Sequence, residues 1–223
     1  MEAQLSRRIL GLPFRVIASA LALMFYQCST LAVLCKSYLE IQQEQVVIQS
    51  NEYACGAAAV ATLMQYFYSV QVSESDVLNL VEESMRSRGV SPEESHGLTA
   101  FDLKEASQQL GVEMAGYLVG QSELDDYFAR GGLPVIAHLT NPRKHFVVVI
   151  GIRNAFVLIA DPAWGKRIVG CSEFETLRER RGVVLVPLPS RQKAGVARDA
   201  QSDALFEMER ILSHLQALGE EMM

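Results

Sequence analysis

The chain has few of the residues that carry most protein chemistry: four cysteines, four histidines and one tryptophan among 223 residues. No cluster of His, Cys, Asp and Glu falls at metal-ligand spacing, and Cys55 and Cys171 lack close cysteine partners, so neither metal nor cofactor is expected. No glycine-rich phosphate loop precedes a helix; Gly131, Gly132 and Gly151 read as turn or strand glycines. Positive charge is scarce as well. The net charge is −6, and residues 1–35 hold three arginines against one glutamate, so the remainder is more acidic still. Such a body lacks the basic footprint of a nucleic-acid binder. Beyond residue 35 no apolar run has spanning length, which confines membrane contact to the N-terminal segment.

With 49% hydrophobic and 21% charged residues, the chain has enough apolar material for one packed domain with appendages. Its start reads as an export signal. Arg7, Arg8 and Arg15 precede the apolar run from Val16 to Tyr26, which continues more weakly to Leu34. Residues 1–35 therefore fit a cleaved signal peptide or an uncleaved signal anchor, with the body exported to the periplasm. No small residue stands before Cys28 or Cys35, which argues against a lipoprotein. Cleavage would leave Cys55 and Cys171, and the default for two cysteines in an exported chain is one disulfide.

A short strand is expected at Val46–Ile48, then a helix of small residues over Gly56–Tyr68. Ser73 with Asp76, and Thr99 with Asp102, have capping-box spacing and open two further helices, the second ending at Gly111. Residues 86–97 read as a loop, and Ser122 starts a short helix that ends at Gly131-Gly132. Strands then follow at 134–139, 145–150, 155–160 and 183–187, with turns at Asn141-Pro142 and Asn154 and a short helix over 172–180. Helices first and an antiparallel meander afterwards predict an α+β domain over 46–188. Residues 189–200 read as a polar linker. Residues 201–223 read as an amphipathic helix with Leu205, Met208, Ile211, Leu212, Leu215 and Leu218 on one stripe, which packs on its own domain or binds a protein partner.

One constellation points to chemistry. Cys55 opens the small-residue helix, whose positive end favours thiolate, and Gln49 shortly upstream offers an amide donor for an oxyanion. A thiolate nucleophile needs an imidazole. His214 lies in the C-terminal helix and His96 in the polar loop, leaving His145 at the mouth of an apolar strand and His138 on the preceding strand as its competitor. Asp161 ends the strand after His145, where antiparallel pairing brings the two side chains together. The alternative for Asp161 is a turn cap before Pro162. Trp164 reads as a cleft wall or core residue, and Gly165 as a turn glycine.

Gln49-x5-Cys55-Gly56-Ala57-Ala58, His145-Phe146-Val147-Val148-Val149 and Asp161-Pro162-x2-Gly165 resemble, in order, the three motifs of the C39 peptidases. These are papain-like cysteine peptidases known for removing double-glycine leader peptides. The resemblance implies a papain-like fold with Cys55 as nucleophile, His145 as base, Asp161 as orienting residue and Gln49 as oxyanion donor. It also implies a narrow channel that prefers glycine at the cleavage site. Many members have Asp before the cysteine, where this chain has Ala54. The best-known members are fused to a transporter with membrane spans and an ATPase. This chain shows neither, and is more similar to exported stand-alone members, including those that accompany functional-amyloid secretion in biofilm-forming bacteria. The expectation is an exported endopeptidase acting on a peptide or protein, such as a secreted fibre subunit. Its alternative is a silent peptide-binding or chaperone domain of the same fold.

Overall fold

The structure is a computed structural model that describes residues 37–90 and 97–221. The expected signal or anchor and His96 lie outside the described residues. The chain clusters into two units, one ending at Ile41 and one starting at Gln42. Helix α1 (Tyr38–Gln43) crosses that boundary, and the sheet and the helices that follow belong to the second unit.

Helix α2 (Cys55–Tyr68) is apolar on all sides and buried along almost its whole length, as a central helix must be. Its small residues permit close approach: a Cβ at Gly56 would lie 2.9 Å from a Leu103 methyl. Helices α3 (Glu74–Ser87) and α4 (Ala100–Gln109) both open with the expected capping boxes. Each Ser or Thr side chain accepts from a backbone N–H, and each Asp returns the bond, satisfying donors that a bare helix start leaves orphaned.

After α4 come β1 (Met114–Val119), α5 (Gln121–Ala129), β2 (Val135–Leu139), β3 (His145–Arg153), β4 (Phe156–Asp161), β5 (Gly165–Gly170), α6 (Cys171–Thr176), β6 (Gly182–Pro187) and α7 (Arg191–Glu221). The strands form one sheet in the order β1-β6-β2-β3-β4-β5, with every neighbouring pair antiparallel. The architecture is therefore the expected α+β type. Alternation along the strands divides the core. Ile136, Phe146, Val148 and Leu185 pack with α2, α3, α4 and α7, whereas Ala137, Val147, Val149 and Val184 pack with Leu124 of α5 and Phe174 of α6.

Several expectations are corrected. Val46–Ile48 is not a strand; the Val47 N–H donates to the Thr62 hydroxyl of α2 at 2.9 Å instead of to a strand neighbour. Strands β1, largely exposed, and β5, half-buried and bounded by Gly165 and Gly170, are missed because they carry little apolar alternation. The helix at 172–180 stops at Thr176. Residues 189–200 are not a linker, since α7 runs unbroken from Arg191. Ala194, Ala197, Gln201, Ala204, Leu205 and Met208 recur at helical spacing, and small alanines supply a buried stripe that polar neighbours disguise.

That stripe clamps α7 onto β3. Gln201 Nε2 donates to the carbonyls of Gly132 and Ile150 at 2.9 and 2.7 Å, at a bulge between Val149 and Gly151. A Cβ at Gly151 would meet a Leu205 methyl at 2.9 Å, so Gly151→Ala overpacks the contact, a change that costs about 1–3 kcal/mol. Past Met208 the stripe emerges: Leu212 is half-buried, and Ile211, Leu215 and Leu218 are exposed. Among the described residues no helix is long and apolar enough to cross a membrane.

Candidate active site

Three elements converge at the start of α2. Cys55 is its first residue, preceded by Ala54, whose side chain provides no cap. With no Asp there to take the free N–H groups, they stay available near the sulfur. The buried Cys55 sulfur lies beside the His145 ring and near the backbone N–H groups of Phe146 and Gly56. Burial by itself pushes the thiol up. The His145 hydrogen bond, the Phe146 N–H, the imidazolium charge and the Gly56 N–H outweigh it and hold the thiol below its ordinary value.

His145 opens β3, and Asp161 ends β4. Val148 faces Ala160, so Asp161 stands opposite Val147 and one diagonal step from His145. His145 Nε2 and Asp161 Oδ1 are 2.7 Å apart. This leaves Nδ1 as the ring nitrogen for Cys55. Burial opposes a charge on His145, but its bonds to Asp161 and Cys55, and the negative charge of both, push it up to about 9. Burial likewise raises Asp161, yet His145, the Ala163 N–H and Arg167 bring it below the ordinary carboxylate value. The Ala163 N–H donates to Oδ1 at 2.9 Å, and Arg167 Nη1 lies 3.3 Å from Oδ2. Both shifts run towards charge separation, the thiol held low and the imidazole high, with the ring oriented by a buried carboxylate.

Gln49 reaches the same cavity from the loop before α2. Its backbone N–H donates to Pro162 O at 2.9 Å, tying that loop to the turn after Asp161. Its Nε2 donates one hydrogen to Asn51 O at 2.9 Å, and its Oε1 is buried without a partner. Its second Nε2 hydrogen makes no bond among the described residues and is the donor left for a ligand in the cavity. The cavity holds about 550 Å³ and is walled by residues 97–100, His138, Phe146 and Val183. Arg143 and Glu52, 3.1 Å apart and both more than half exposed, pair beside it.

The structure therefore bonds His145 to Asp161 and places Cys55, His145 and Gln49 on one cavity. His138 shares the cavity but packs against Phe146, away from Asp161, and His214 is exposed on α7. Trp164 is exposed, not a core residue. Sequence reasoning missed Arg167. Its signal was the hairpin: Asp161 faces Gly165 and Ile159 faces Arg167, so Asp161 and Arg167 are diagonal neighbours across β4–β5. Cys55 and Cys171 are both free thiols on opposite faces of the sheet, so the expected disulfide alternative does not hold. No group of three or more His, Cys, Asp or Glu suited to a metal occurs among the described residues.

A model of the peptidase C39 family matches residues 43–191. The lactococcin-G-processing and transport ATP-binding protein LagD of Lactococcus lactis subsp. lactis is 28% identical over 151 residues, covering 67% of this chain and 19% of LagD. The probable functional amyloid protease FapD of Pseudomonas aeruginosa is 27% identical over 142 residues, covering 62% of this chain and 59% of FapD. The chain thus spans a fifth of the first relative's length and three fifths of the second's. Among solved structures, a double glycine motif protease from an AMS/PCAT transporter, in complex with its leader peptide, is 28% identical with a TM-score of 0.50, covering 65% of this chain and 91% of that one. The peptidase domain of Streptococcus ComA, at 23% identity and a TM-score of 0.53 over 65% of this chain and 98% of that one, shares the fold.

Proposed function

The chain belongs to the peptidase C39 family, and from that premise we propose that it is a cysteine endopeptidase with Cys55, His145, Asp161 and Gln49 as its working residues. The observation that carries this reading is the 2.7 Å contact between His145 Nε2 and Asp161 Oδ1, with the other side of the ring given to the Cys55 sulfur.

In the first step the thiolate attacks the scissile carbonyl carbon. The C=O electron pair moves to oxygen, where the Cys55 backbone N–H and the free hydrogen of Gln49 Nε2 stabilise the charge. Collapse of that intermediate breaks the C–N bond as the imidazolium protonates the departing amine, leaving a thioester. Neutral His145 then takes a proton from water, which adds to the thioester. The second collapse releases the acid and regenerates the ion pair. Asp161 stays ionised throughout and holds the ring in place.

The substrate in this reading is an exported peptide or protein cut at a Gly-rich or double-glycine site. A relative titled a double glycine motif protease and another named a probable functional amyloid protease support that class, with a secreted fibre subunit as one form of it. Export to the periplasm follows from the arginines and apolar run of residues 1–35, and a reporter enzyme fused after them should appear there. The exposed end of α7 offers a surface for a protein partner. The central test is a synthetic peptide with an internal Gly-Gly pair, incubated with reduced protein and read by mass spectrometry. We expect cleavage after the pair, abolished in Cys55→Ala while the circular dichroism spectrum is unchanged. Continued cleavage by that variant would overturn the assignment.

A further inference from the structure

The cavity holds a second imidazole that this reaction leaves unused. His138 on β2 faces Phe146 of β3 and lines the cavity with Cys55 and His145. Its ring packs on Phe146 with centroids 4.7 Å apart and planes at 43°. Phe146 is itself fixed, since its side chain is buried against the start of α2 and its backbone pairs with His138 across β2 and β3. His138 is thus held one aromatic ring away from the nucleophile.

A half-buried histidine kept only for structure ordinarily finds a hydrogen-bond partner. Among the described residues neither ring nitrogen of His138 has one, and the carboxylate across β3 is taken by His145. Burial first, then the charges of Lys144 and His145, hold its pKa below the ordinary value, with Glu179 acting the other way. Near neutrality the ring presents one N–H donor and one bare nitrogen acceptor.

The walls also indicate which part of a substrate would meet it. They come from the loop before α2, residues 97–100, His138 of β2, residues 143–146 and Val183 of β6, and none from β4 or β5, so the enclosed side of the cleft runs from Cys55 towards His138. The acyl part of a substrate remains attached through both chemical steps, whereas the amine leaves after the first. The enclosed side suits the part that stays. We propose that His138 is a specificity-determining residue whose ring nitrogens hydrogen-bond the peptide backbone on the acyl side of the scissile bond, while its ring and Phe146 admit only small residues there. This rests on the peptidase reading and adds to it a residue that touches substrate.

Affinity labelling tests this on the full chain without knowledge of the natural substrate. The Cys55 thiolate displaces chloride from a peptidyl chloromethyl ketone, forming a C–S bond, and iodoacetamide reports the thiolate alone. Rates are read by mass spectrometry for acetyl-Gly-Gly and acetyl-Ala-Ala chloromethyl ketones. The wild type should favour the Gly-Gly probe. His138→Ala should lose about tenfold in peptidyl labelling and bring the two probes within about threefold, with iodoacetamide labelling changed less than twofold. His138→Phe, which keeps a ring, should lose the rate but retain the preference, and it covers the case in which the alanine variant does not fold. Unchanged peptidyl rates and preference in both variants would overturn the proposal. So would iodoacetamide labelling that falls in step, which would mark His138 as structural. Wild-type Cys55 reacting no faster with iodoacetamide than Cys171 would instead sink the peptidase reading itself.

Discussion

Cys55 and Cys171 occupy the same local position with opposite outcomes. Each is the first residue of a helix, and each follows a residue that provides no side-chain cap. Cys55 is held below the ordinary thiol value, whereas burial, and then the charge of Asp125, raise Cys171. Burial alone would rank them the other way, since Cys55 is the more deeply buried. A helix start is common to both, so it cannot be the cause of the difference. At Cys55 a second element arrives: β3 brings an imidazole and the Phe146 N–H to the sulfur. At Cys171 the neighbouring charge is a carboxylate, and its own N–H is already spent on the Ala155 carbonyl at 2.9 Å. Thiolate character here comes from the sheet meeting the helix.

The largest expected effect separates the two by deletion. Cys55→Ala should reduce cleavage of a Gly-Gly peptide by roughly 10³-fold or more, while Cys171→Ala leaves it within about twofold. Next, removing the imidazole should make Cys55 resemble Cys171. In His145→Ala the burial that opposes ionisation is left uncompensated, so iodoacetamide labelling of Cys55 at pH 7 should fall about 10²-fold, to the level of Cys171 or below. If Cys55 in that variant still outpaces Cys171, the helix start contributes more than the comparison allows.

The pH dependence refines this. Cleavage should rise with pH as Cys55 ionises, at a pH below that of an ordinary thiol, and decline above about 9 as His145 loses the proton destined for the leaving amine. Asp161 raises the His145 value, so Asp161→Asn should move the alkaline limb down towards an ordinary imidazole and lower kcat by about 10²-fold. An alkaline limb that stays near 9 in this variant would show that Asp161 does not set the ring's basicity.

The comparison also explains what was legible in the chain. Cys55, His145 and Asp161 stood out as candidates because each sits at the end of a strongly patterned element, and an antiparallel hairpin brings the start of one strand to the end of the next; Gln49, in a loop, stood out only by its spacing from Cys55. The capping boxes of α3 and α4 were legible because they are local chemistry. Yet the helix-end argument that singled out Cys55 applies equally to Cys171, which a helix start expected at residue 172 misses by one position. Arg167 was hidden because β5 is missed: without β5 there is no hairpin to carry it to Asp161. Residues 191–200 were misread as a linker because alanines bury a stripe without looking apolar. Whether His145 or His138 meets Asp161 is a matter of strand order, since β4 pairs with β3 and not with β2, and spacing alone could only favour the answer.

The smallest effect lies on the unreactive side. Asp125 is the charge that raises Cys171 beyond the effect of burial. Gln121 Nε2 donates to Asp125 Oδ1 at 2.8 Å, and Asn at that position keeps an oxygen acceptor for the bond while removing the charge. The site is half open to solvent and screened by salt, so Asp125→Asn should speed iodoacetamide labelling of Cys171 at pH 8 only about twofold, with Cys55 unaffected. A gain that vanishes at high salt fits a through-space charge, because no hydrogen bond to the sulfur is altered. A tenfold gain would mean that removing one carboxylate nearly suffices to make a nucleophile at a helix start, and the weight assigned to His145 would have to be reduced accordingly.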